Sequence, residues 1–466
     1  VCGIVGTVFA RPDRRPDQAI LEVMADRLIH RGPDEAGFAI RGPAGLGIRR
    51  LKIIDLDTGR QPMTGEDGST WVVLNGEIYN YRELTDRLRA SGHVFRTRSD
   101  TEAIVHAWEV RGPDALEDLE GMFGLAVWHE PSQTLVLARD RLGVKPLYYA
   151  VLPDQIVFAS ELKAMLAHPA ISRELDLDAL SAYLAHEWVP PPRSIVRAVR
   201  KLAPGHRLVY TGGDAKVERW WDVRYGGGSK DEIVGVAHLA AALDLSVRQH
   251  LLADVPLGVF LSGGVDSATV AAIARAYVPG RLQTFSIGFE DRSFDESAHA
   301  RAVAGAFGTE HHEQVLGPRA ALDLVDGLAD LVDEPLGDAS ILPTYLLARF
   351  ARRSVTVALS GDGGDEVFAG YPTYQAHRLA RAWQRVPAPL RRAAGAVVER
   401  LPVSHDNLSL DFKLKRFVAG AMLDTVDRHA TWMGAFRPDE QRALLTSDTL
   451  ARLSQAPSYD ALHRLA

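Results

Sequence analysis

Apolar residues follow two different rhythms along this chain. Through residues 1–210 they form short, strand-length runs punctuated by Gly and Pro: Cys2–Phe9, Trp71–Leu74, Phe123–Trp128, Leu135–Ala138 and Ile156–Ala159. Helical spacing occupies Ala19–Ile29, Tyr81–Ser91 and Thr101–Arg111. Runs of strands with separate helices predict sandwiched α+β layers. Pro190-Pro191-Pro192 is a stiff, non-helical stretch. The polar, glycine-rich run from Gly226 to Glu232 predicts a flexible connection. After it the rhythm becomes helix, strand, helix. Ile233–Gln249 is expected to be helical, Val255–Leu261 a buried strand, Ser267–Tyr277 a helix and Leu282–Phe289 a second strand. Ala298–Phe307 reads as a helix and Val355–Leu359 as a further strand. That alternation predicts an α/β domain with a parallel sheet and covering helices. The expected division is 1–212, a linker over 213–232, and 233–466.

Length and composition narrow the classes. A chain of 466 residues is long enough for two or three domains with sizeable cores. Its 46% hydrophobic and 24% charged fractions are those of an ordinary soluble protein. A formal charge of −7 argues against a nucleic-acid partner. One cysteine excludes an internal disulfide framework and fits a reducing cytosol. No apolar run approaches the ~18 residues of a membrane span, and no basic region precedes the first apolar stretch. The expectation is a cytoplasmic protein that engages neither membrane nor nucleic acid.

That lone cysteine is Cys2, in Val1-Cys2-Gly3-Ile4-Val5-Gly6. With Val1 removed, thiol and free α-amine would sit on one residue, the amine with a pKa near neutrality suited to act as base for the thiol. On position alone, Cys2 is equally a small apolar residue opening a buried strand. A second candidate is Leu261-Ser262-Gly263-Gly264-Val265-Asp266-Ser267, between an apolar strand and a helix. Glycines there let backbone N–H groups converge, and the helix N-terminus adds partial positive charge, so an anion fits. Ser262 and Ser267 can donate to phosphate and Asp266 can hold Mg²⁺. The bland alternative is a capped strand–helix turn. Ser360-Gly361-Asp362-Gly363-Gly364-Asp365-Glu366 also follows a buried strand, where ligands bind in open α/β sheets. Together the two loops favour a nucleotide–Mg²⁺ site.

These loops and Cys2 resemble the glutamine-dependent asparagine synthetases, and the likeness runs through the whole chain. It includes His30-Arg31-Gly32-Pro33-Asp34, Arg50–Asp55, Leu74–Asn80, Arg98–Glu102, Ala138–Tyr149 and Ala159–Lys163 in the first half. Ser262–Ser267, Phe294–Ser297, Asp333-Glu334-Pro335 and Ser360–Glu366 follow in order. The resemblance implies an N-terminal Ntn-hydrolase αββα sandwich and a C-terminal PP-loop ATP pyrophosphatase domain with a Rossmann-like parallel sheet. It implies that Cys2 attacks glutamine, with Asn75 and Gly76 forming the oxyanion hole. Arg50, Ile53, Ile54, Asn75, Gly76, Glu77 and Asp100 would bind glutamine, Arg50 holding its α-carboxylate and Asp100 its α-ammonium. Leu261, Ser262, Gly263, Gly264, Asp266, Ser267, Ile287, Ser360 and Gly361 would bind ATP. Asp266 and Asp365 would hold Mg²⁺. The family further implies adenylation of an aspartate side chain, displacement of AMP by ammonia, an apolar ammonia tunnel and a homodimer. Gly337-Asp338-Ala339-Ser340 would lie in the acceptor pocket.

The chain departs from the family in two places. Asp362 stands where one common family form has Glu, a candidate base in the ammonia step. Aspartate is one methylene shorter, which makes that role less secure. The chain also stops before the family's C-terminal Arg-x-Pro motif and a lysine that meets pyrophosphate, so it is expected to be a fragment of a longer product. An alternative reading is a related amidotransferase or ring-closing ligase acting on another carboxylate. A non-catalytic homologue is a third, which Cys2 and the intact Ser-Gly-Gly loop count against. Valine at position 1 is what a GTG start codon yields when read literally. The expected intact mass is therefore that of the chain lacking Val1, and a mass retaining it would contradict a free Cys2 amine.

Overall fold

Side chains of Gly3–Phe9 (β1) alternate between two cores, Ile4 and Val8 entering one and Val5 the other. A strand buried on both faces needs a layer on each side. The computed structural model describes residues 2–223, 235–325, 327–454 and 459–463. The chain divides into two units, Val1–Leu175 with Pro191–Val255, and Asp176–Pro190 with Pro256–Ala466.

The first unit continues through Gln18–Asp26 (α1), Glu35–Arg41 (β2), Ala44–Arg50 (β3), Met63–Thr64 (β4) and Thr70–Ile78 (β5). Tyr81–Ala90 (α2), Asp100–Arg111 (α3), Gly121–His129 (β6), Thr134–Arg139 (β7), Tyr148–Val151 (β8) and Gln155–Ala159 (β9) follow. Leu162–Met165 (α4), Arg200–Lys201 (β10), His206–Thr211 (β11) and Asp214–Arg219 (β12) complete the layers. One sheet runs β10-β8-β9-β1-β3-β2, the other β12-β11-β7-β6-β5-β4, and every pairing is antiparallel. Their facing sides share a core of Ile4, Leu46, Trp128, Leu137, Phe158 and Leu208. Burying each such side chain contributes ~1.5–3 kcal/mol. Helices α1 and α4 cover the outer face of the first sheet, and α3 packs on β5 with α2 against it. The arrangement is an αββα sandwich. Strand β12 lies within 213–232, the span read above as a linker; residues 224–232 of that span lie outside the described residues.

The polar hairpin β2–β3 did not stand out as an apolar run. Its turn, Gly42-Pro43, uses Gly42 at φ 54°, where glycine is strongly favoured. Two helices sit away from their sequence neighbours. Leu177–His186 (α5) groups with the second unit, where Ser181 Oγ donates to Gln441 Oε1 at 2.8 Å. Val236–His250 (α6) groups with the first, where the His250 and Tyr79 rings stand 4.1 Å apart.

In the second unit, Leu257–Phe260 (β13) leads into Val265–Tyr277 (α7), Gln283–Phe289 (β14), Ser297–Phe307 (α8), Glu310–Leu316 (β15) and, later, Val357–Leu359 (β16). The order is β15-β14-β13-β16, parallel throughout. Strand β13 is shorter than the apolar run over Val255–Leu261, since Pro256 has no N–H to donate. Edge strand β15 reads Glu-His-His-Glu-Gln, so no buried run announced it. Helices dominate after β16. Among the described residues, no helix is long and apolar enough to cross a membrane.

Close approach of β1 to its neighbours depends on Gly6. A Cβ there would overlap the Phe158 ring and lie 2.7 Å from Gly45 O. Gly6→Ala should destabilise the first unit by ~1–3 kcal/mol, read as a lower urea midpoint. An unchanged midpoint would mean that β3 and β9 give way to the methyl group without cost.

Candidate functional site

The β1–β3 register sets Gly3 opposite Arg49, which places Cys2 beside Arg50. Cys2 is 8% exposed, its Sγ donating toward Leu51 O at 3.7 Å. Burial pushes the thiol pKa up. Arg31 fixes the Cys2 backbone: its Nε donates to Cys2 O at 2.8 Å and its Nη1 to Glu161 Oε1 at 2.7 Å. His30 and Lys163 also meet Glu161, at 3.0 and 3.5 Å. Burial alone would raise the Glu161 pKa, but the bonds from His30 and Arg31 hold it at about 2.

Arg50 is buried and spends donors on Ile54 O at 3.0 Å, Asp55 O at 2.7 Å and Glu35 Oε2 at 3.3 Å. The segment with Ile53 and Ile54, both buried, is braced by Asp254, whose N–H donates to Ile53 O at 2.9 Å. Asp254 Oδ2 in turn accepts from Asp55 N at 2.8 Å. Asp100 opens α3 behind the cap formed by Ser99. It accepts from Ile78 N at 2.9 Å, yet burial still raises its pKa. Glu77 is pushed well up by burial and then by the Asp100 charge. Half-buried Glu77 and buried Asp100 thus both resist ionisation, a setting that favours an ammonium group beside them. Cys2, Arg50, Glu77 and Asp100 are thus gathered in one electrostatic neighbourhood.

Asn75 is fully buried on β5. Its Nδ2 lies 3.4 Å from Ser160 Oγ, which already accepts from Ile4 N at 2.9 Å, while Asn75 Oδ1 has no partner. Exchanging the amide O and N lets the Ser160 hydroxyl donate to Oδ1 and frees an N–H for a substrate oxygen. A Cβ on neighbouring Gly76 would overlap Met122 O, so glycine keeps β5 against β6. In the Ala138–Tyr149 motif, Asp140 accepts from Val144 N and Lys145 N at 2.9 Å, closing a turn.

The second unit presents a cleft of about 700 Å³ at the carboxyl ends of β13, β14 and β16. It is lined by Leu261, Ser262, Gly264, Asp266, Ser267, Ile287, Ser360, Gly361, Asp362 and Asp365. Gly263 is not on its wall; at φ 85°, with a would-be Cβ 2.6 Å from Ala300 N, it shapes the turn. Ser262 Oγ and Ser267 Oγ are 2.9 Å apart, and Gly264 N donates to Ser262 Oγ at 3.2 Å. No side chain caps α7, so its first N–H groups are open to an anion. The two loops touch. A Cβ on Gly361 would lie 2.7 Å from Ser267 N, and one on Gly364 would overlap the Asp266 carboxylate. Asp362 is tied back within its own loop by Ser360 Oγ at 2.7 Å. Sequence reasoning gave no role to Ser286, Glu296 and Ser297, which also line the cleft; Phe294–Ser297 was the available signal. The described lining has four carboxylates and no Lys or Arg, so a polyphosphate needs a cation there, and the all-oxygen donors Asp266 and Asp365 fit Mg²⁺.

Fold and sites define a two-unit protein, a cysteine-headed αββα unit and a parallel-sheet unit with an acidic cleft. A family model described as glutamine amidotransferase domain matches residues 1–221, and one described as asparagine synthase matches 238–465. The chain is 36% identical over 406 residues to asparagine synthetase (glutamine-hydrolyzing) 1 of Bacillus subtilis strain 168, covering 86% of this chain and 64% of that protein. It is 34% identical over 502 residues to a putative asparagine synthetase (glutamine-hydrolyzing) of Mycobacterium tuberculosis H37Rv, covering 100% and 75%. A putative asparagine synthetase (glutamine-hydrolyzing) 2 of Methanocaldococcus jannaschii is 34% identical over 430 residues, covering 87% and 82%. The chain belongs to the glutamine-hydrolysing asparagine synthetase family. It spans less than two thirds of the length of the first of these relatives.

Glu161 adds stability that is complete above its unfolded pKa of 4.5 and is lost as pH falls toward about 2. Glu161→Gln should cost ~2–3 kcal/mol at pH 7 and flatten the dependence of the urea midpoint on pH between those limits. A variant with the wild-type pH slope would show that the cluster contributes nothing.

Proposed function

We propose that this protein makes asparagine from aspartate, using glutamine as nitrogen donor and ATP as energy source. The Cys2 thiol gives up its proton to the α-amine exposed by loss of Val1, a residue outside the described ones. Its sulfur bonds to the glutamine side-chain carbonyl carbon, with Asn75 and the Gly76 N–H receiving the oxyanion. The α-ammonium passes that proton to the amide nitrogen, collapse expels ammonia and leaves a thioester, and water cleaves it to glutamate and the free thiol. Arg50 holds the glutamine α-carboxylate; Glu77 and Asp100 take its α-ammonium, and Ile53 and Ile54 wall the pocket. The rise in both carboxylate pKa values is what a bound ammonium would reverse.

In the second unit the aspartate side-chain carboxylate attacks the α-phosphorus of ATP, and pyrophosphate leaves. Ammonia then adds to the acyl-adenylate carbonyl and AMP departs with the electron pair. Ser262, Gly264 and Ser267 receive the phosphates, Gly263 shapes their loop, and Leu261 and Ile287 flank the nucleoside. Ser360 and Gly361 close the other side. Mg²⁺, when bound, neutralises the phosphate charge; Asp266 and Asp365 would hold it. Asp362, drawn onto Ser360, is a candidate for the proton taken from the attacking ammonia. The observation that carries this reading is the meeting of the two glycine loops, Gly361 and Gly364 against Ser267 and Asp266, on one cation-demanding cleft.

The test is pyrophosphate release from ATP–Mg²⁺, with ammonium or glutamine as nitrogen source, with and without aspartate. Release should require aspartate with either source. Cys2→Ala should lower the glutamine-dependent rate at least ~100-fold and leave the ammonium-dependent rate unchanged. Equal loss of both rates would overturn the two-site mechanism. Release with a different carboxylic acid and none with aspartate would move the acceptor to that acid.

A further inference from the structure

Away from both clefts, three segments of the first unit turn metal-binding side chains toward one point. Glu66 comes from the β4–β5 connection, His93 from the turn after α2, and His106 and Glu109 from consecutive turns of α3. One ligand atom from each lies within 4.8 Å of all the others. His93 Nδ1 is 3.7 Å from Glu66 Oε2 and 3.4 Å from Glu109 Oε2, and His106 Nδ1 is 2.7 Å from that Glu109 oxygen. Tetrahedral sites with bonds of ~2.0–2.2 Å have ligand edges of roughly 3.3–3.6 Å, so an ion needs the His106–Glu109 pair to open and the wider pairs to close.

We propose that Glu66, His93, His106 and Glu109 bind a first-row divalent cation, with Zn²⁺ the best match to two imidazoles and two carboxylates.

Two further features support it. The His106 side chain is only 2% exposed, and its Nε2 has no hydrogen-bond partner but stands 3.7 Å from Glu102 Oε1. Glu102 is itself pinned by Arg96 N, Thr97 N and Thr97 Oγ1 at 2.8, 2.7 and 2.6 Å. A carboxylate behind the non-ligating nitrogen orients a metal-bound imidazole and raises its basicity. Glu109 Oε1 is buried without a partner, and it lies where a Cβ on Gly65 would overlap it, so the approach exists only because residue 65 is glycine. A metal would draw the Glu66 and Glu109 oxygens and both rings to one point. It would clip the Glu66 and His93 turns to α3, the helix that begins at Asp100, in a structural rather than catalytic role.

The experiment is to strip the full chain with chelator, load it with Zn²⁺ or Co²⁺, desalt it, and count metal by mass spectrometry. Wild-type protein should retain about one ion per chain, and the Co²⁺ form should show the intense visible bands of a tetrahedral site. His93→Gln, at a turn, should lose both without losing its circular-dichroism spectrum. Glu102→Gln should keep the bands and weaken affinity ~10–100-fold. Asp266→Asn, in the other cleft, should leave retention unchanged. Retention below about a tenth of an ion in the wild type would overturn the proposal, leaving a protonated-histidine ion cluster. So would undiminished retention in His93→Gln, and so would loss in Asp266→Asn.

Discussion

Glu161 sits where an unpaired carboxylate would be costly, and it is surrounded by His30, Arg31 and Lys163. Through Arg31 it reaches the carbonyl of Cys2, at the head of a strand buried on both sides. Next to Glu161, Ser160 ties the same strand by N–H to Ile4 O and by its hydroxyl to Ile4 N. Cys2 is therefore held through its backbone carbonyl. The motifs containing His30-Arg31 and Ser160-Glu161 are a frame for that one residue, although some 130 positions separate them.

The second unit relies on a different constraint. Its cleft is made by backbone proximity rather than by ion pairs, since Gly361 and Gly364 allow one loop to lie against the first turn of α7. Carboxylates then crowd a space with no described cation on its wall. Under the proposed function an anionic ligand brings its metal with it, so the electrostatics of this site are supplied with the substrate. In the first unit, by contrast, cations such as Arg50 are built in beside a pair of reluctant carboxylates, Glu77 and Asp100.

Much of this was legible beforehand for a plain reason: chemistry that needs particular atoms at short sequence spacing leaves a local signature. The Ser262–Ser267 loop, the Ser360–Asp365 loop and the buried strands all belong to that class. Less visible were elements whose place depends on distant partners. Helix α5 is tied to Gln441, more than two hundred residues away, and α6 sets the His250 ring at a tilt against Tyr79. Neither helix carries in its own pattern the address of its partner. Strands β15 and β2 were missed because edge or half-exposed strands need no continuous apolar run, and buried β3 because Gly45 and Gly47 interrupt its apolar residues.

Local sequence by itself determined the strand and helix rhythm of each half, the glycine turns, and the residue types suited to nucleophile, anion and metal chemistry. It did so because periodicity and turn geometry act over a few residues. Only the tertiary structure decided that Arg31 and Glu161 hold Cys2, that Asp254 braces the Arg50 loop, and that Glu66, His93, His106 and Glu109 converge. Those depend on which sheet faces and turns meet, and burial then sets their charge by removing water, which no linear spacing records.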